Sequence, residues 1–167
     1  PLEEPVITTT LLFSFIIWQI WYYHICMDQK ILDFLSKEKV SALSVCMPDG
    51  TCHVAAMHFS HISDPLTIYI QTENTSKKMQ GLKDGRPAAA SVVVGFNEEE
   101  MKTLQLDGQI QLITDAAKLP DIHKIHYAKH PHAEQYKNDP GTVFLAFVPT
   151  WYRYTDYKTI PPTFIES

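Results

Sequence analysis

Basic residues are scarce in this chain, so any basic patch must be local. The 14 lysines and arginines are outnumbered by 19 aspartates and glutamates, for a net charge of −5. That balance argues against nucleic acid or an anionic membrane surface as the main partner, since both select for grouped Lys and Arg. Only three cysteines occur, Cys26, Cys46 and Cys52, with no CxxC pair and no zinc-ligand spacing to the histidines. A reduced, cytoplasmic protein is the simplest reading. Cys46 and Cys52 nevertheless sit symmetrically about Pro48-Asp49-Gly50 and could face each other across a hairpin as a stress disulfide. No nucleophile stands on a recognisable strand-to-helix turn, so hydrolysis has no support. Internal repeats and low-complexity tracts are also lacking. The 167 residues, 45% of them apolar, suit one domain with one core.

No Lys or Arg precedes Lys30. The apolar run from Leu11 to Tyr23 therefore lacks the basic start of a signal peptide, and it falls short of the roughly 20 apolar residues of a membrane span. A weak anchor is the most it offers. Met27-Asp28-Gln29-Lys30 reads like a natural start. Residues 1–26 are thus expected to be an atypical apolar extension, 27–160 the folded domain and 161–167 a C-terminal tail.

What is present is mostly β pattern. Asp28 is an N-cap candidate for a short helix bearing Ile31, Leu32, Phe34 and Leu35. Val40–Met47 and 51–61 flank a Pro-Asp-Gly turn as a hairpin. After a turn at Ser63-Asp64-Pro65, Leu66, Ile68 and Ile70 alternate with polar residues. Residues 74–85 read as a helix starting at Thr75 or Ser76. A strand follows over 88–96, and another in which Leu104, Leu106, Gly108, Ile110 and Leu112 share one face. Leu119, Ile122 and Ile125 predict a helix within 115–129, and His130-Pro131-His132 ends it. Residues 142–149 and 151–157 are two strands or one bent strand. Strands at such spacing with inserted helices predict a mainly β fold, a closed antiparallel barrel.

One segment carries chemistry. A helix starting near Thr75 would put Lys77 and Lys78 in its first turn, where cations are disfavoured unless an anion sits at the free backbone N–H groups. Thr72, Thr75 and Ser76 add hydroxyls, so residues 72–78 combine the parts of a phosphate cradle.

A strand, then Thr-x-x-x-Ser-Lys-Lys, preceded by the strand His53-Val54-Ala55-Ala56-Met57-His58, resembles the pyridoxamine 5'-phosphate oxidase-like split-barrel family over roughly residues 28–158. The resemblance implies a six- to seven-stranded antiparallel split β-barrel of Greek-key type with flanking helices. It also implies one FMN per subunit of a homodimer and oxidoreductase chemistry with a small-molecule electron donor or acceptor. In such a family Ser76, Lys77 and Lys78 would hold the FMN phosphate. His53, Val54, Ala55 and Ala56, with Gln71 and Thr72, would lie along the isoalloxazine and ribityl chain, and Thr103 or Gln105 would meet the flavin. The C-terminal Arg and His segment that grips substrate phosphate in true pyridoxamine phosphate oxidases is missing, so vitamin B6 oxidation is not expected. A non-catalytic flavin-binding or electron-transfer module is the alternative, as is the same barrel with a deazaflavin or haem.

The remaining histidines and aromatics read as structural. His123, His126, His130 and His132 lie close together without a completing carboxylate or cysteine, and His58 points to the opposite face of its strand from His53 and His61. Trp151, Tyr152 and Tyr154 suit core or dimer interface, while Arg153 could meet a flavin's pyrimidine edge.

Overall fold

In the computed structural model, which describes residues 27–82 and 84–167, Asp28 caps helix α1 (Gln29–Lys37) by accepting the Lys30 N–H at 2.8 Å. The cap satisfies one of the donors that a helix start leaves unpaired. Ile31, Phe34 and Leu35 then recur on one face and are buried. The apolar run from Leu11 to Tyr23 lies outside the described residues.

Strands β1 (Val40–Cys46) and β2 (Cys52–His58) form the expected hairpin. Met47 N–H donates to Thr51 O at 2.8 Å, Gly50 N–H to Met47 O at 2.9 Å, and Gly50 takes φ 81°. This is the three-residue loop in which a left-handed residue closes the turn. The apolar run predicted as one strand through His61 breaks at Phe59, which is fully buried. β3 (Ser60–Ser63) is a separate strand paired with β4 (Leu66–Glu73), so His61 does not share a strand with His53 and His58.

The predicted α-helix over 74–85 is instead a short 3₁₀ turn, Lys77–Leu82. Only six residues separate Ser76 from Lys83, and Gly81 lets the turn lie flat on β1, a seat set by tertiary contact rather than helix propensity. β5 (Ala88–Val94), β6 (Lys102–Leu112), α2 (Leu119–Lys129), β7 (Thr142–Asp156) and β8 (Thr163–Glu166) complete the chain. β7 is one bent strand. Its partner β6 shifts register between Asp107 and Gly108, which face Trp151 and Pro149 and leave Thr150 as the extra residue of a bulge. A side chain at Gly108 would collide with the Val148 carbonyl.

All strand pairs are antiparallel in the order β2-β1-β5-β6-β7-β4-β3, with β8 on β7. The sheet curls until β2 meets β4, making a half-barrel. Eight strands therefore replace the six or seven expected, and the eighth lies in the stretch read as a C-terminal tail. Leu43, Val45, Ile68, Ile70, Val92, Leu104, Leu106, Ile110, Leu145 and Phe147 fill the barrel, and α1 plugs it with Ile31 and Leu35. Tyr152 and Tyr154 belong to this core. A second cluster of Ile122, Tyr127, Ala133 and Phe144 holds α2 against the barrel. That helix buries Ile122, His126 and Tyr127, whereas Ile125 of the predicted stripe is only half-buried. Among the described residues, no helix is long and apolar enough to cross a membrane.

Candidate functional site

A cavity of about 340 Å³ opens where β2 meets β4, within the size range of small-molecule sites. Ala56, Met57 and His58 line it from β2, Gln71, Thr72 and Glu73 from β4. The segment after α2 contributes His132, Ala133 and Tyr136, with Asp139 and Thr142 beyond it. Two long-separated strand ends are thus joined by a third element that the sequence reading left structural.

Lys78 is the unusual residue beside this cavity. The residue is only 6% exposed. The ammonium donates to Thr72 Oγ1 at 2.9 Å, and that hydroxyl lies 3.3 Å from Ser76 Oγ. Burial pushes the Lys78 ammonium down from its ordinary value, and Glu73 offsets this only in part. No ion pair to Lys78 is formed among the described residues. An ammonium with one neutral partner keeps two hydrogens to donate, and a buried charge in that state is costly unless an anion joins it.

Gln71 presents the complementary deficiency. Its Nε2 donates to Ala133 O at 3.4 Å, while its Oε1 is buried without a partner. A bound group that brings an anion to Lys78 and an N–H to Gln71 would satisfy both. The phosphate and the ring edge of FMN are of that chemistry, so these residues fit the cofactor.

The predicted residues divide on this geometry. Ala56, Gln71 and Thr72 line the cavity, and Ser76 and Lys78 reach it through Thr72. Val54 lies on the same outward face of β2 as Ala56 and is 59% exposed. His53 and Ala55 alternate onto the other, half-buried face, and Lys77 is exposed. Thr103 and Gln105 sit at the other end of β7, opposite Thr155 and Arg153, and do not join the cavity within one chain. Arg153 lies beside Glu166 and over the Phe164 ring.

The histidines converge beside this cavity. His58 lies tilted against His130 and edge-on to His132, with ring centroids 4.8 and 4.9 Å away, and His126 follows His130 at 5.0 Å. His130 Nε2 donates to Phe59 O at 2.8 Å, and His126 Nδ1 shares a 3.0 Å hydrogen bond with Ser60 Oγ. Burial lowers all three of His58, His126 and His130; the charges of His130 and His58 lower His126 further, to about 3, while for His130 the hydrogen bond to Phe59 offsets burial in part. They are neutral imidazoles near pH 7. No group of three or more His, Cys, Asp or Glu has metal-binding geometry among the described residues. The spacing of His126, His130 and His132 was visible in the chain, but their convergence on His58 required the fold.

Comparisons with known proteins agree with this architecture. A comparison with curated protein sequences finds no match. Among solved structures, a Clostridium acetobutylicum protein related to general stress protein 26, of the pyridoxinephosphate oxidase family, is 17% identical with a TM-score of 0.61. The match covers 84% of this chain and 96% of that one. General stress protein 26 from Bacillus anthracis is 19% identical with a TM-score of 0.61, over 83% and 97% of the two chains. A heme binding protein from Mycobacterium smegmatis is 11% identical with a TM-score of 0.65, over 80% of this chain and 54% of that one. The pyridoxamine 5'-phosphate oxidase family model matches residues 27–156, nearly all of the barrel, and the chain belongs to that family.

Proposed function

We propose that this protein is an FMN-binding oxidoreductase acting on a small-molecule electron donor or acceptor, as a homodimer in a reducing, cytoplasmic setting. The observation that carries the reading is the buried Lys78 ammonium, which has only a hydroxyl partner and stands beside a cavity of cofactor size. Lys78, Thr72 and Ser76 would hold the phosphate, and the Gln71 carbonyl oxygen would accept from the ring edge. Ala56 and Val54 offer a strand surface without bulk on which a flat ring can rest. When bound, FMN supplies the electron-transfer chemistry itself, and the protein contributes binding, orientation and electrostatics. The outer face of β2 is exposed beside the cavity, and a second subunit covering it would complete the pocket. The test is titration with FMN and with riboflavin, followed by turnover of a reduced nicotinamide by the loaded protein. Binding of FMN without turnover would leave a non-catalytic flavin carrier.

A haem reading rests on a different observation, the imidazoles of His58 and His132 on the cavity wall. Either imidazole would hold a haem iron, and Lys78 would suit its propionates as it suits a phosphate. Absorption spectra separate the two, because haem gives a Soret band that His58→Ala or His132→Ala would shift, while flavin gives neither.

A further inference from the structure

Cys46 and Cys52 are direct partners at the last rung of the β1–β2 hairpin. Met47 N–H donates to Thr51 O at the turn, and Phe59 N–H to Lys39 O at the far end. Odd-numbered β1 residues therefore occupy the hydrogen-bonded rungs, and Cys46 lies on a non-hydrogen-bonded one. Across such a rung Cα atoms approach to about 4.5 Å with side chains on one face, inside the about 4.4–6.8 Å that a disulfide spans. Both thiols are exposed and free. Desolvation and the hydrogen bond to Cys52 push the Cys46 thiol up. Either thiol is exposed to attack a small disulfide, and its rung partner stands close enough to resolve the adduct.

We propose that Cys46 and Cys52 form a reversible dithiol–disulfide couple, a redox-modification site at the tip of the hairpin that seats the anion-binding turn. The oxidant is a low-molecular-weight disulfide. One cysteine of the pair, as its thiolate, attacks one sulfur of that disulfide, forming a mixed disulfide and releasing one small thiol. The other loses its proton and attacks the protein sulfur of that adduct, closing the intramolecular bond and releasing the second thiol. Two protein thiols are oxidised and one small disulfide is reduced. The short loop closed by the bond, on an exposed rung, is accessible to reduction in turn.

The position gives the couple a consequence, which rests on the proposed function. A Cβ at Gly81 would stand 2.9 Å from Cys46 O and 2.9 Å from Val45 Cγ1, so the Lys77–Leu82 turn is seated directly on the cysteine's backbone. Asp49 at the hairpin tip is held low chiefly by Thr51, with the Lys77 charge adding to it. A disulfide holds its Cα atoms most often about 5.5–6 Å apart, wider than this rung, so closing the bond shifts the Cys46 backbone under the turn, and the oxidised form binds FMN severalfold more weakly.

The experiment treats the full chain bearing Cys26→Ser with oxidised glutathione, alkylates the remaining thiols and maps the peptides. A Cys46–Cys52 linked peptide lighter by two hydrogens, restored by dithiothreitol, is the expected result. In Cys46→Ser a stable glutathione adduct should accumulate on Cys52, because the resolving thiol is gone. Lasting glutathione adducts on the unsubstituted pair, or a predominant link between two molecules, would overturn the couple. FMN titration of the reduced protein tests the cofactor reading by itself. Equal FMN affinity of reduced and disulfide forms would overturn the link to the turn.

Discussion

Lys78 has left water for one hydroxyl partner, and an ammonium in that state costs several kcal/mol until an anion joins it. Lys78→Met keeps the stem and removes the charge. Charge-assisted hydrogen bonds of about 1.5–3 kcal/mol imply a loss of one or more orders of magnitude in FMN affinity, with riboflavin affinity nearly unchanged. Without ligand the variant should melt at the same temperature or higher. Lys77→Ala should cost less, since Lys77 is exposed. Calorimetric titration with both flavins and a thermal melt check this, and equal losses of the two flavins would place the lysine elsewhere. The histidines set an acid limit. Burial holds His61 at about 4 and His126 at about 3, the latter also beside His130, His58, Lys129 and His123. Both are lowered below the ordinary 6.5, so the unfolded chain binds protons that the folded one refuses. Stability is whole above pH 6.5 and falls as pH drops towards 4, by at most about 1.4 kcal/mol per pH unit for buried His126 and by less for half-buried His61, whose charge water screens. Melting temperature should decline between pH 7 and pH 5, and His126→Gln, which does not titrate, should flatten that decline.

Among the elements, the turn bearing the lysines is the clearest case of tertiary override. Polar residues and two lysines over 74–85 read as a helix by propensity, yet contact with β1 holds them as a 3₁₀ turn. Gly81→Ala forces a methyl against the Cys46 carbonyl and Val45. We expect destabilisation of about 1–3 kcal/mol and weaker FMN binding, with riboflavin affected less because the displaced group is the phosphate anchor. Denaturant unfolding and titration measure both, and a neutral result would mean that the turn is not seated there. β8 was illegible for another reason. Four residues after two prolines carry no decisive period, and the strand exists because the C-terminal half of β7 has an open edge to pair. By contrast, α1, β5 and β6 were plain in the chain, since a cap residue and a strict period 3.6 or 2 are local properties.

For the whole molecule, the outer face of β2 is the unfinished surface, with Val54 59% exposed next to the cavity. A homodimer covering that face is expected, and it is where Thr103 and Gln105, remote from the cavity within one chain, could meet a flavin from a second subunit. Light scattering should show a dimer, and Val54→Lys should yield monomers that bind FMN more weakly. A stable, flavin-loaded monomer would contradict this. The chain by itself determined the β-rich class, the hairpin and the capped first helix, because turn residues, caps and alternation act between near neighbours. Only the tertiary structure decided that Lys78 is buried on Thr72, that His58 meets His130 and His132, that Gln71 keeps a free acceptor and that β8 joins the sheet. Each of these depends on which distant strands the curled sheet brings together, and burial and pairing across long separations leave no local period to read.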